Sequence, residues 1–308
     1  MFEGTLTLNR ARLYVVLAAL MWSTSGMLAK LIALPGPTMA CGRALFAAVV
    51  LVPFLRRGKV TFRPAMLGMV ACFTIMNVCY VTSITLTTAA NAIFLQYTAP
   101  AWMFLASVLW LGDRLDRRNL ASLIVGMAGI AIIVVGSWER ASLGVVLGLV
   151  AGLSYGGVAV FLRVLRDEDP FWLTTINHLV SGLVVLPFVL TRPEWSFSLA
   201  STGQLIGLAI YGALQMSVPY CLFCRALSVV TPQEAGLITL LEPVLNPMLT
   251  WLAVGELPAR STIFGGTFIV TGVGWRYTRL SAVWLVLLIL ALIVGAAIWR
   301  LFVAVFLK

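Results

Sequence analysis

From end to end this chain is a succession of apolar runs, each about as long as a bilayer is thick. A helix crosses the hydrocarbon core with about 20 apolar residues. Runs of that length read as helices at about 12–34, 37–55, 65–85, 89–111, 119–137, 143–164, 171–190, 203–224, 232–254, 260–277 and 281–306. The loops between them are short, which leaves no room for a soluble domain. Composition agrees: 61% of the 308 residues are hydrophobic, 10% are charged, and the mean hydropathy is +1.02. A water-soluble domain carries about a quarter charged residues. The expected fold class is therefore an all-α integral membrane protein with ten packed spans and an eleventh at the C-terminal end. The first run is full length and lacks a trusted cleavage site, so it is expected to stay as a span.

The net charge of +10 suggests nucleic acid until its distribution is considered. With the N-terminus in the cytoplasm, fourteen basic residues fall in inside segments: Arg10, Arg12, Arg56, Arg57, Lys59, Arg63, Arg114, Arg117, Arg118, Arg163, Arg166, Arg225, Arg276 and Arg279. Six fall outside: Lys30, Arg140, Arg192, Arg260, Arg300 and Lys308. That asymmetry is the positive-inside pattern, so the basic excess orients the chain and implies no nucleic-acid partner. The partners expected are the lipid bilayer and a small-molecule substrate.

The chain also repeats itself. Shifting by 143 residues lays Ala92 on Ala235, Pro100 on Pro243, Gly112 on Gly255, Asp113 on Glu256 and Gly129 on Gly272. The expected units are a five-helix repeat over 1–140, a second over 141–280, and an additional span over 281–308. Five is odd, so the second copy enters the membrane inverted. Inverted repeats create a pseudo-two-fold axis in the membrane plane and a site between the halves near the midplane.

The helix LITLLEPVLNP (237–247), the turn Gly255–Glu256 and the glycine-rich GGTFIVTGVG resemble EamA-type transporters of the drug/metabolite transporter superfamily. So do their first-half counterparts YTAP, LGD and IVGMAGIAIIVVG. The resemblance covers about residues 10–280. It implies ten helices with both termini cytoplasmic and the export or uptake of small metabolites, often amino acids. Residues 281–308 depart from it.

Polar residues within the spans are expensive, so each needs a reason. Helical steps from Glu242 place Ala235, Thr239, Asn246 and Thr250 on one stripe, which must face protein or a cavity. Pro243 and Pro247 free carbonyls one turn earlier. Glu242 is read first as a structural acid tying this helix to a neighbour, and second as a proton- or amine-binding group. Glu234, Glu256 and Asp113 are expected at helix ends. Candidate substrate-binding residues are Trp22, Asn77, Tyr80, Gln96, Tyr97, Trp102, Tyr155, His178, Gln215 and Tyr220. Asn246 and Arg43 join Glu242 as polar groups with a coupling or structural role. Arg43 and Lys30 are both expected to snorkel outward, with Arg43 the deeper of the two and the better candidate for meeting a carboxylate. His178 is expected to be a buried imidazole holding one hydrogen bond.

Catalytic constellations are absent from the sequence: there is no HExxH, no phosphate loop and no Ser/His/Asp set. The CxxC at 221–224 lacks His or acidic companions and reads as packing cysteine. No cofactor, metal or enzymatic activity is expected. The sequence points to a secondary carrier of the bacterial inner membrane that works by alternating access, with export of an amino acid or related metabolite first. Export of drug-like amphiphiles and metabolite uptake follow; a channel or a scaffold are the rivals of other classes.

Overall fold

A computed structural model describes residues 6–55, 60–109, 117–226, 229–230, 235, 238–239 and 241–277. The helices, in chain order, are α1 (Leu8–Trp22), α2 (Ser25–Ile32), α3 (Gly36–Leu51), α4 (Pro64–Leu86), α5 (Ala89–Gln96) and α6 (Ala99–Leu109). They continue as α7 (Arg117–Val164), α8 (Pro170–Thr191), α9 (Thr202–Ile210), α10 (Val218–Ala226), α11 (Leu241–Val254) and α12 (Arg260–Tyr277). A π-helical turn, Tyr211–Ser217, links α9 to α10. Helices account for all the regular structure among the described residues.

Among the described residues six stretches are long and apolar enough to cross a membrane: Leu8–Ile32, Gly36–Phe54, Pro64–Leu86, Ala141–Val164, Pro170–Thr191 and Thr202–Ala226. Leu123–Trp138 is apolar but shorter. Large apolar side chains point outward along these helices, Leu67, Val49 and Val135 among them. In water such a surface would be a liability; in a bilayer it is the solvated face. The run 281–306 lies outside the described residues, as do Asp113, Arg114 and Glu234.

Three boundaries differ from the sequence expectation. The first span breaks at Ser23–Thr24, where hydroxyls take over backbone acceptors: Ser23 Oγ donates to the Ala19 carbonyl at 2.7 Å and Thr24 Oγ1 to that of Met21 at 2.6 Å. The fourth breaks at Tyr97–Thr98, because Pro100 has no N–H for the preceding turn and restarts the helix as α6. Spans five and six are not separated by a loop. They are two helices that meet at a kink at Ala141 (φ −154°, ψ 41°) and together carry the label α7.

The packing pairs helices far apart in sequence. α4 lies on the second half of α7, α12 on its first half, α3 on α8 and the π turn, α1 on α10, and α2 on α11. Small residues permit the closest of these approaches. A Cβ on Gly26 of α2 would come within 2.6 Å of the Ala89 Cβ and 2.7 Å of Thr250 Oγ1. Between these pairs runs a core that includes Met39, Val81, Ile84, Ile93, Leu95 and Tyr211.

Candidate functional site

The polar interior is built on Arg43, which α3 carries into the protein at 3% exposure. Its Nε donates to Asn77 Oδ1 at 2.8 Å and its Nη1 to the Tyr211 hydroxyl at 2.9 Å. The guanidinium also lies 5.1 Å from the Tyr211 ring centroid and 5.8 Å from that of Tyr80. Asn77 is fully buried and aimed by two further bonds, from Nδ2 to the Ala40 carbonyl (2.9 Å) and to Ser181 Oγ (3.1 Å). The Tyr211 hydroxyl is 2.9 Å from Ser25 Oγ.

Tyr211 opens the π turn. In that wide turn Ser217 Oγ donates to the Gly212 carbonyl five residues back (3.2 Å) and to the Ala47 carbonyl (3.0 Å). Gly212 packs so close to α3 that a Cβ there would come within 2.6 Å of the Phe46 Cβ. Single π turns recur at functional sites because they re-aim side chains within an otherwise regular helix. Here the turn carries Tyr211 to Arg43 and Gln215 to α1, where Gln215 Nε2 donates to the Trp22 carbonyl at 3.3 Å.

An aromatic row adjoins this cluster. Trp22 meets Tyr220 and Phe223, each with ring centroids 5.2 Å apart. Tyr220 meets His178 at 5.6 Å, and His178 meets Phe73 edge-on at 4.8 Å. Edge contacts of this kind suit the ring quadrupoles. The expected hydrogen bond to His178 is not found: among the described residues neither ring nitrogen has a partner, although the residue is fully buried. The aromatic edges enclose it instead.

A third group surrounds Glu242, which is half-buried at the start of α11. The Tyr97 hydroxyl sits 3.3 Å from Glu242 Oε2 and 3.1 Å from the Thr239 carbonyl. Glu242 is within electrostatic range of Tyr80, Tyr97 and Tyr220, so the three groups share neighbours. In the rest of its stripe Ala235, Asn246 and Thr250 are buried and Thr239 is half-buried: Asn246 faces Gly26, and Thr250 Oγ1 donates to the Asn246 carbonyl at 2.8 Å. Neither side-chain atom of Asn246 has a partner.

The structure thus gathers Trp22, Arg43, Asn77, Tyr80, Tyr97, His178, Gln215, Tyr220 and Glu242 into linked clusters. Others stand apart. Gln96 is buried on α5. Trp102 Nε1 donates to Thr98 Oγ1 at 3.3 Å within its own helical turn, while its Cβ packs on Gly156. Tyr155 is 42% exposed and lies within electrostatic range of Tyr97 and Tyr220. Neither Arg43 nor Lys30 snorkels. Lys30 Nζ pairs with Glu256 Oε2 at 2.7 Å and donates to the Thr87 carbonyl at 2.9 Å. Glu256 Oε1 accepts from the Ala89 N–H at 2.7 Å, capping α5 from across the bundle.

Sequence reasoning missed Tyr211, Ser181 and Phe73. Helical spacing held part of the signal, since Phe73 precedes Asn77 by four residues and Tyr211 precedes Gln215 by four.

These features, several apolar spans around a buried polar and aromatic interior, define a multi-pass membrane transporter. The sequence profile of the EamA-like transporter family matches residues 9–135 and again residues 142–278, and the chain belongs to that family. It is 27% identical over 266 residues to an uncharacterized transporter of Archaeoglobus fulgidus, covering 85% of this chain and 95% of that one. It is 25% identical over 266 residues to the pseudopaline exporter CntI of Pseudomonas aeruginosa, covering 84% and 92%. A crystal structure superimposes with a TM-score of 0.65 at 17% identity, over 90% of this chain and 99% of that one, which supports the fold alone.

Proposed function

We propose that the protein is a secondary carrier that exports a small metabolite, an amino acid or related solute first, across the bacterial inner membrane. Its transport unit is ten spans in two inverted five-helix repeats, residues 1–140 and 141–280, with the N-terminus cytoplasmic. Residues 281–308 form an accessory span dispensable for transport. The solute binds between the halves, and rocking of one half against the other exposes it to alternate sides.

One observation carries this reading: the bond from Arg43 Nη1 to Tyr211. It joins the first proposed repeat to the second through a buried, charged, fully neutral-partnered cluster. A scaffold gains nothing from holding a charge there, and a carrier does. The aromatic row from Trp22 to Phe73 also suits the apolar body of a drug-like amphiphile, the second reading. The export direction is supported by the Pseudomonas relative, a pseudopaline exporter.

The test is counterflow in proteoliposomes preloaded with a bacterial metabolite extract. Saturable exchange of at least one solute is expected. Non-saturating flow would mean a channel, and no flow at all would defeat the carrier reading.

A further inference from the structure

We infer that Arg43 is the oxyanion-binding pole of the interior site, held open by Asn77 and Tyr211 to receive the carboxylate of the transported solute. The inference rests on the carrier reading above and deepens it by naming the chemical group the site recognises.

The argument begins with charge. An arginine stays protonated in proteins, so Arg43 is a permanent cation at 3% exposure within a membrane-embedded bundle. Burying such an ion costs several kcal/mol unless a counter-ion and hydrogen bonds offset it. Among the described residues, no carboxylate lies within ion-pairing distance of it. Its partners are an amide oxygen and a phenol, both neutral.

Geometry narrows the role. A guanidinium has five N–H donors in a rigid planar fork. Arg43 gives one from Nε to Asn77 and one from Nη1 to Tyr211, which leaves three with no described acceptor. The two neutral partners are themselves fixed. Asn77 cannot turn its oxygen away, because its nitrogen is committed to the Ala40 carbonyl and Ser181. Tyr211 is anchored by Ser25 and by the π turn. The side chain is therefore preorganised with donors to spare, a cost that a structural salt bridge would not need.

A carboxylate matches what is left. Two parallel N–H groups donate to its two oxygens in charge-assisted bonds, the geometry for which arginine is the preferred residue. Lysine would supply a point charge without the fork. The aromatic row beginning at Trp22 then lies beside the solute's apolar part. Asn77 and Tyr211 act as positioning residues, and Arg43 supplies specificity.

The experiment uses the full chain purified in detergent and three matched probes: L-phenylalanine, 3-phenylpropionate and L-phenylalaninamide. Binding is read by tryptophan fluorescence and by the shift in unfolding temperature, since a ligand of the folded state raises it. Saturable binding of at least one carboxylate probe is expected, about tenfold tighter than of the amide. Arg43→Gln should weaken the carboxylate probe about tenfold while changing amide binding less than threefold. Arg43→Lys, which keeps the charge in case the glutamine variant does not fold, should retain part of the preference. Equal binding of amide and carboxylate, a preference unchanged in Arg43→Gln, or no carboxylate binding would overturn the inference. Counterflow separates the two claims. Saturable exchange without carboxylate preference removes only this inference, whereas absent exchange removes the carrier reading itself.

Discussion

The hydroxyl of Tyr97 stands 3.1 Å from the carbonyl of Thr239, the one acceptor that Pro243 leaves without its helical donor. In a regular helix the residue at 243 would donate to the carbonyl at 239, and proline has no N–H to give. Tyr97 comes from the break between α5 and α6, which exists because Pro100 does the same thing in the first half of the chain. One proline therefore frees a carbonyl, and the shift-equivalent proline opens the turn whose tyrosine answers it. In hydrocarbon an unsatisfied carbonyl is costly, so this pairing closes the account of an irregular helix at depth.

Replacing Tyr97 with Phe should destabilise the protein by about 0.5–1.5 kcal/mol, because it removes the bond to the part-buried Thr239 carbonyl. The measurement is thermal unfolding in detergent. Tyr97→Phe combined with Pro243→Ala should recover part of the loss, since the alanine N–H can then reach Thr239. An additive double variant would mean that the Thr239 carbonyl is not what Tyr97 serves.

Glu242 shares that hydroxyl at 3.3 Å, so the acid reads as a member of the same tie. Glu242→Gln keeps an acceptor for Tyr97 and should preserve both fold and saturable flux. Glu242→Leu keeps none and should lower stability by about 1–3 kcal/mol. The pair is scored by unfolding temperature and by counterflow. A glutamine variant that folds, binds solute and no longer transports would move Glu242 from structure to coupling.

Much of this interior could be read from residue spacing. The stripe through Glu242, Asn246 and Thr250 is visible because a helix repeats every 3.6 residues, and a polar stripe in an apolar helix has only one place to go. The break at Ser23–Thr24 was illegible, since it carries no proline and depends on hydroxyls that take the backbone carbonyls one turn earlier. The π turn at Tyr211–Ser217 has no local signature either. It arises where Gly212 is pressed against α3, a contact with a partner more than 160 residues distant in the chain. Lys30 was misjudged for the same reason: its partner Glu256 is brought near only by the packing of α2 on α11.

That Lys30–Glu256 pair makes a distinctive double-variant prediction. Gly255 adopts a positive φ of 71° at the end of α11, a conformation suited to glycine, and the chain turns there to send Glu256 toward α5. Glu256 then serves two donors, Lys30 Nζ and the Ala89 N–H. Both charged side chains are about one-fifth exposed, so solvent screens the pair in part. Glu256→Gln should cost about 1–2 kcal/mol, chiefly the charge-assisted part of the two bonds. The charge swap Lys30→Glu with Glu256→Lys should fail to restore stability, because a lysine cannot accept from Ala89. Full rescue by the swap, measured by unfolding temperature, would show that only the ion pair matters.

A close approach of backbone to backbone between α7 and α12 supplies the last prediction. Gly129 of α7 and Gly265 of α12 face each other, and a Cβ on either would collide with the carbonyl oxygen of the other. A Cβ on Gly265 would also come within 2.6 Å of Ile133 Cγ1, and one on Gly129 within 2.9 Å of the Phe268 Cβ. Backbone cannot swing aside as a side-chain tip can, so the helices themselves must separate. Small residues at such crossings let membrane helices approach closely, where dispersion and weak polar contacts act without a hydrophobic driving force. Gly265→Leu should therefore cost about 3 kcal/mol or more and collapse the yield of monodisperse protein. Gly126, one turn earlier on α7, is the internal control, because nothing lies within 4 Å of a Cβ placed there. Gly126→Ala should be neutral or stabilising by up to about 1 kcal/mol, through helix propensity alone. Size-exclusion profiles and unfolding temperatures of the two variants decide the matter. If Gly265→Leu behaves like Gly126→Ala, α7 and α12 do not cross through this glycine pair.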